Sequence, residues 1–128
     1  MAIEKKARIA VIDDDDSFRA ATEWLIKAHG LDASGFASAR AFLDEYPHEN
    51  VDCIISDINM PGMSGLELKQ CLNNRGSDIP VIFVSAQSDP SLPDRVLQIG
   101  AAALLQKPFH GQHLMDTVNS VISNASKT

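Results

Sequence analysis

Apolar residues along this chain fall into two alternating patterns: short unbroken runs, and longer stretches in which they return every three or four positions. An unbroken run of four or five residues suits a strand covered on both faces, whereas the longer period suits a helix with one buried stripe. Five strand-helix pairs fit, with strands predicted at residues 8–12, 33–36, 52–56, 80–84 and 102–105. The runs around Val11, Ile54 and Phe83 are continuously apolar rather than alternating, as parallel strands buried on both faces require.

The helical stretches carry their own start and stop signals. In the first, Phe18, Ala21, Leu25 and Ala28 recur at helical spacing, with Trp24 beside the stripe. An aspartate is available as N-cap, and Gly30 sits where a left-handed residue ends a helix. The second places Ala39, Phe42, Leu43 and Tyr46 on one face, opened by Ser38 and closed by Pro47. The third follows Ser64, and the fourth follows Pro90 and Pro93 and ends near Gly100. The fifth carries Leu114, Val118, Val121, Ile122 and Ala125. No repeat, low-complexity tract or linker interrupts the series, so residues 1–128 are expected to form a single domain without an output domain.

At 128 residues such a chain buries about two thirds of its unfolded surface and needs no covalent staple. A net charge of −6 argues against direct nucleic-acid binding, since Lys5, Lys6 and Arg8 are too few to make a basic face. The apolar run after these lysines is too short for a signal peptide, and no stretch approaches the ~20 apolar residues of a membrane span. Cys53 and Cys71 show no metal or redox spacing and read as buried, reduced thiols, which suits the cytoplasm.

In parallel α/β sheets, ligands bind beyond the carboxyl ends of the strands. The first strand delivers Asp13 and Asp14 from the run IAVIDDDD, the third delivers Asp57, the fourth Ser85 and the fifth Lys107. Each residue alone has an ordinary reading: an aspartate cluster at a helix start, a turn aspartate, a loop serine, a surface lysine. Their joint arrival at four strand ends is what singles them out. Two carboxylates ~4 Å apart repel by roughly 4 kcal/mol at an effective dielectric of 20, so the cluster calls for a cation. All-oxygen ligands favour a hard cation such as Mg²⁺, while a lysine and a hydroxyl would hold phosphoryl oxygens. The chain has no phosphate-binding glycine loop, which makes nucleotide the poorer source of that phosphate.

Four segments in order, VIDDDDSFR, SDINMPGMSGLEL, VIFVSAQSD and LLQKPF, resemble the response-regulator receiver domains of two-component signalling, and the resemblance covers essentially the whole chain. It implies a flavodoxin-like (βα)5 fold with a parallel sheet of order 2-1-3-4-5. It also implies that Asp57 accepts a phosphoryl group from a sensor histidine kinase or phosphotransfer protein. Mg²⁺ (or Mn²⁺) would be held by Asp14 directly, Asp13 through water, Asp57 and the carbonyl of Asn59. Ser85, the Ala86 amide and Lys107 would bind the phosphoryl oxygens, Asn59 and Gln87 would tune hydrolysis, and the bond before Pro108 would be cis. A homodimer through the fourth helix, fifth strand and fifth helix is a further implication. The only catalysis expected is the domain's own phosphotransfer and dephosphorylation.

Within the family this spacing is most similar to the nitrogen-fixation-regulator group, whose receivers often precede a LuxR-type helix-turn-helix domain. One departure stands out: Leu104 occupies a position where many receivers carry a rotating aromatic that works with the Ser85 position as a switch. Met60 and Met63 are expected to shape the turn after Asp57, and His110, His113, Lys27 and Arg95 to be solvated. Two other readings use the same residues. The Asp13-x-Asp15 pair with Ser85 and Lys107 imitates a phosphohydrolase of the haloacid-dehalogenase kind, although that family's later acidic pair is missing. A receiver with a vestigial pocket, acting only as a binding module, is the other.

Overall fold

The computed structural model describes residues 6–45, 50–86 and 88–125. In chain order the elements are β1 (Arg8–Ile12), α1 (Asp16–Ala28), β2 (Asp32–Phe36), α2 (Ala39–Asp44), β3 (Cys53–Asp57), α3 (Gly65–Asn74), β4 (Val81–Ser85), α4 (Leu92–Gln98), β5 (Ala103–Gln106) and α5 (Gly111–Ala125). All pairings are parallel and the sheet order is β2-β1-β3-β4-β5. The fold is thus the flavodoxin-like arrangement expected.

Why the strands read as unbroken apolar runs is plain from where their alternate residues go. Ala10, Ile12, Ile54 and Phe83 face a core completed by Phe42 and Leu43 of α2, Leu68 and Leu72 of α3, and Val96 of α4. Ile9, Val11, Ile55, Ile82 and Val84 face the opposite core, completed by Ile26 of α1 and Leu114, Met115 and Val118 of α5. With both faces covered, neither set of positions tolerates a polar pattern.

The ends of the elements follow local chemistry. Asp15 caps α1, its carboxylate accepting from the N–H groups of Ser17 and Phe18. Ser38 caps α2 through Ala41 N–H, while the closing signals read at Tyr46 and Pro47 lie outside the described residues. Ser64 and Glu67 form a reciprocal capping box at α3. Gly30 and Gly100, at φ 84° and 85°, take the left-handed conformation that ends α1 and α4.

Four strand boundaries and the buried face of α1 differ from expectation, β2 beginning one residue earlier at Asp32. Strands β3, β4 and β5 run one residue further along the chain, because Asp57 and Ser85 are still paired in the ladder with Val84 and Gln106. In α1 the buried line passes through Thr22 and Ile26, with Phe18 and Leu25 half-buried, while Ala21 and Ala28 are exposed. Counting alanine as apolar drew the stripe through Ala21 and Ala28, whereas the buried line includes the polar Thr22, whose hydroxyl donates to the Phe18 carbonyl.

The turn between β3 and α3 is held tightly. Gly65 N–H donates to the Ile58 carbonyl at 2.8 Å. A Cβ at Gly65 would collide with the Asp57 carbonyl oxygen and approach Ile58 Cα and Phe83 Cε1, both at 3.1 Å. Gly65→Ala should therefore lower unfolding free energy by about 1–3 kcal/mol, the usual range for overpacking, as read by urea denaturation.

Candidate functional site

Strand order decides which residues meet. The register pairs Ile12 with Ser56, so the residues just beyond, Asp13 and Asp57, emerge side by side at the carboxyl edge. Asp13, Asp14 and Asp57 each present a carboxylate oxygen, and the three oxygens lie within 4.8 Å of one another. This is the one such grouping of His, Cys, Asp or Glu side chains among the described residues. Asp13 is buried at 1% exposure, Asp57 is half-buried and Asp14 is exposed.

Buried Asp13 is fully engaged. Its Oδ1 accepts from Asp15 N–H at 2.9 Å and its Oδ2 from Lys107 Nζ at 3.2 Å, a contact that closes a span of 94 residues. Its own N–H donates to the Phe36 carbonyl at 3.1 Å, and its carbonyl accepts from Arg19 Nη1 at 2.7 Å. Arg19 Nη2 reaches Asp16 at 2.7 Å, so one guanidinium ties both ends of the aspartate run.

Lys107 arrives from β5. Its backbone N–H donates to the Ser85 carbonyl at 2.8 Å, its bond to Pro108 is cis, and Nζ sits 3.9 Å from the centroid of the Phe18 ring. Ser85 is buried at the end of β4, with Ala86 exposed just after it. Asn59 is exposed two residues past Asp57, while Gln87 lies outside the described residues. Ser85 and Leu104 share the wall of a cavity of about 230 Å³, closed by Ser88, Asp89, Pro90 and Leu92. Gln106 Nε2 donates to Ser88 Oγ at 2.8 Å across its mouth.

Burial pushes the Asp57 carboxyl above its ordinary value, the Lys107 ammonium pulls it down, and the charges on Asp13 and Asp14 push it up again, with the Ile58 N–H a lowering influence. The cluster is thus anionic, short of hydration and only partly compensated. An all-oxygen set of this kind suits a hard divalent cation with part of its water shell retained.

The ordinary readings of the remaining residues are settled by their surroundings. Asp15 caps α1 and Asp16 pairs with Arg19, as helix-start aspartates do. Both N–H groups fall on Asp15 Oδ1, so Asp15 serves the start of α1 rather than pairing with Asp13 as the haloacid-dehalogenase-like reading would have it. Met60 is buried and Met63 packs against the same core, so the turn after Asp57 is anchored from beneath. His110, His113 and Lys27 are exposed, and exposed Arg95 pairs with Asp89 at 3.7 Å. Burial pushes the Cys53 thiol up to about 12, leaving it protonated and unreactive, whereas Cys71, also a free thiol, is only partly buried rather than buried as expected. No helix among the described residues is long and apolar enough to cross a membrane.

Sequence reasoning gave no role to Arg19 and Lys69, and gave Phe18 only a place in the first helix's apolar stripe. Arg19 and Phe18 follow the aspartate run directly, but nothing in their spacing tells that one grips the Asp13 carbonyl and the other underlies Lys107. Lys69 is buried in α3, where its ammonium donates to Asn73 at 2.8 Å and Asn73 in turn reaches the Ile99 carbonyl.

Three aspartates gathered at the β1/β3 switch point of a five-stranded doubly wound sheet, with a lysine paired to one of them, form the arrangement of a receiver-type signalling domain. The family model of the response regulator receiver domain matches residues 9–119, and the chain belongs to that family. Among its relatives, the transcriptional regulatory protein TdiR of Thauera aromatica is 37% identical over 115 residues, covering 90% of this chain and 51% of TdiR. The transcriptional regulatory protein FixJ of Azorhizobium caulinodans is 36% identical over 119 residues, covering 93% and 56%. The chain thus spans about half the length of these relatives. The solved response regulator StyR superposes with a TM-score of 0.87 at 33% identity, over 94% of this chain and 61% of that one. The chemotaxis protein CheY4 of Vibrio cholerae gives 0.84 at 26% identity, over 91% and 99%.

Members of this family are phosphorylation-dependent switches of two-component systems, served by histidine kinases and generally not enzymes in their own right. They typically use Mg²⁺ at an acidic pocket, and an aspartate cluster is present here.

A stability test follows from the raised Asp57 carboxyl. Folding favours its protonated form, so the penalty of its charge is absent below the usual carboxylate range and sets in as pH rises through the raised value. In metal-free protein, Asp57→Asn should raise the thermal midpoint by a few degrees near pH 7. The gain should vanish at pH ~3, where both side chains are neutral.

Proposed function

We propose that Asp57 is the phosphoacceptor and that its phosphorylation changes the affinity of this domain for a partner. The observation that supports this most is the grouping of Asp13, Asp14 and Asp57 within 4.8 Å, with Lys107 at 3.2 Å from Asp13 on the same rim. An Asp57 oxygen attacks the phosphorus of a kinase phosphohistidine and an O–P bond forms as the P–N bond breaks. The imidazole nitrogen leaves with the electron pair and takes up a proton, and the product is a mixed carboxylic-phosphoric anhydride.

Each neighbour has a part that follows from its chemistry. Lys107 lends positive charge to the transferring oxygens, and the Ser85 hydroxyl and Ala86 N–H donate hydrogen bonds to them, since such transfer depends on positioning and charge stabilisation. Asp13, Asp14, Asp57 and the Asn59 carbonyl would hold Mg²⁺ (or Mn²⁺), which when bound supplies charge neutralisation for the carboxylates and the phosphoryl oxygens. Asn59 and Gln87, two residues along the chain from the acceptor and from Ser85, govern the access of hydrolytic water. As Ser85 turns toward the phosphoryl group, Leu104 gains room to shift in the cavity the two share.

On this reading residues 1–128 work as one receiver unit in the cytoplasm. Exposed Leu97 on α4 suits a dimer through α4, β5 and α5. A DNA-binding output, which the names of TdiR and FixJ suggest, would belong to a separate domain.

Incubation with Mg²⁺ and acetyl phosphate, followed by intact mass measurement, tests the assignment. One phosphoryl adduct is expected, absent with EDTA and absent in Asp57→Asn. Lys107→Ala should form it roughly 10²-fold more slowly, in line with removal of one charge-stabilising donor. An adduct that survives Asp57→Asn would overturn the assignment.

A further inference from the structure

Lys107 has two neighbours for its ammonium, and one of them is uncharged. Nζ lies 3.2 Å from Asp13 Oδ2 and 3.9 Å from the centroid of the Phe18 ring, well inside the range of a cation–π contact. The ring itself is fixed from both sides. Phe18 stands in the first turn of α1, where its backbone N–H donates to the Asp15 carboxylate at 3.1 Å. Its ring meets Phe109, two residues beyond Lys107, edge to face at 6.0 Å and 88°. The aromatic surface under the lysine is thus built jointly by the segment that supplies Asp13 and the segment that supplies Lys107.

We propose that Phe18 is a positioning residue for phosphoryl transfer, holding the Lys107 ammonium over its ring so that the charge stays on the rim when Asp13 turns to a metal ion. This rests on the reading of Lys107 as the cation opposite the transferring phosphoryl group. Lysine is a point charge on a flexible four-carbon stem, and loss of its Asp13 partner would leave it free to swing into solvent. A carboxylate beneath it would retain it but neutralise the charge the phosphoryl oxygens need. An aromatic face attracts the cation through its quadrupole, neither neutralises it nor takes its proton, and so leaves it available. An aliphatic side chain of similar bulk would still pack against the core between the sheet, α1 and α5, but without that attraction.

The test replaces Phe18 with mono-, di- and trifluorophenylalanine, which weaken the negative ring face at nearly constant shape, alongside Phe18→Leu and Phe18→Tyr. The readouts are the maximal rate of Asp57 phosphorylation by acetyl phosphate at saturating Mg²⁺, the Mg²⁺ concentration giving half that rate, and the thermal midpoint. The rate is expected to fall stepwise with each fluorine and to be about fivefold lower in Phe18→Leu, with Phe18→Tyr near wild type and the Mg²⁺ requirement unchanged. In a Lys107→Ala background the fluorine dependence should disappear. A rate indifferent to fluorination while Lys107→Ala remains slow would overturn the role of Phe18 alone. Phosphorylation of Lys107→Ala as fast as wild type would overturn the reading of Lys107 beneath it.

Discussion

Three carboxylates held within 4.8 Å of one another at the end of a parallel sheet set the terms for everything around them, because like charges so close are stable only if the fold constrains and compensates them. The constraint is supplied by strand order. With β1 and β3 adjacent, the ladder that ends at Ile12 and Ser56 brings the next residues, Asp13 and Asp57, together, and Asp57 is itself still paired with Val84. Compensation is local and incomplete: an ammonium on Asp13, the Asp15 N–H on its other oxygen, and Arg19 on its backbone carbonyl. Asp57 receives less, and its raised carboxyl records the deficit.

That deficit links stability to function. A site that folds with unrelieved anionic charge would be stabilised by a cation, so a metal held there would be coupled to the stability of the fold. The same rim carries the groups that would respond to a new phosphoryl group. Ser85 and Lys107 are joined through backbone at 2.8 Å, and Ser85 shares with Leu104 the wall of a cavity reaching to α4. On the proposed reading, a shift at Ser85 would be felt by the β4–α4 loop, where Gln106 bonds to Ser88. Leucine fills less of that space than an aromatic would, so the room for movement lies in the cavity rather than in the swing of a ring.

Most of the architecture was legible because local signals and the global fold agree. Unbroken apolar runs meant strands buried on both faces, Ser38 and Ser64 marked helix starts through backbone bonds they do make, and Gly30 and Gly100 marked ends. The candidate site was legible for a different reason: strand ends converge in such folds, so Asp13, Asp14, Asp57, Ser85 and Lys107 could be named as candidates before their distances were known. What the residues could not disclose was the division of labour among neighbours. Four consecutive aspartates look alike in sequence, yet burial singles out Asp13, Asp15 turns to the α1 cap and Asp16 to Arg19, each outcome depending on tertiary surroundings. Phe18 had the spacing of a core residue, and only the arrival of a lysine from far along the chain makes its ring part of the rim.

If the fold holds its acidic cluster in wait for a cation, the thermal unfolding midpoint at neutral pH should report it most directly as Mg²⁺ is raised, in wild type and in Asp57→Asn. Wild type should gain stability with Mg²⁺ as mass action requires, about 2.7 kcal/mol at a hundred times the Kd, while Asp57→Asn, already relieved of one charge and one ligand, should gain far less at the same concentration. Equal gains in the two proteins, or no gain in wild type, would contradict it.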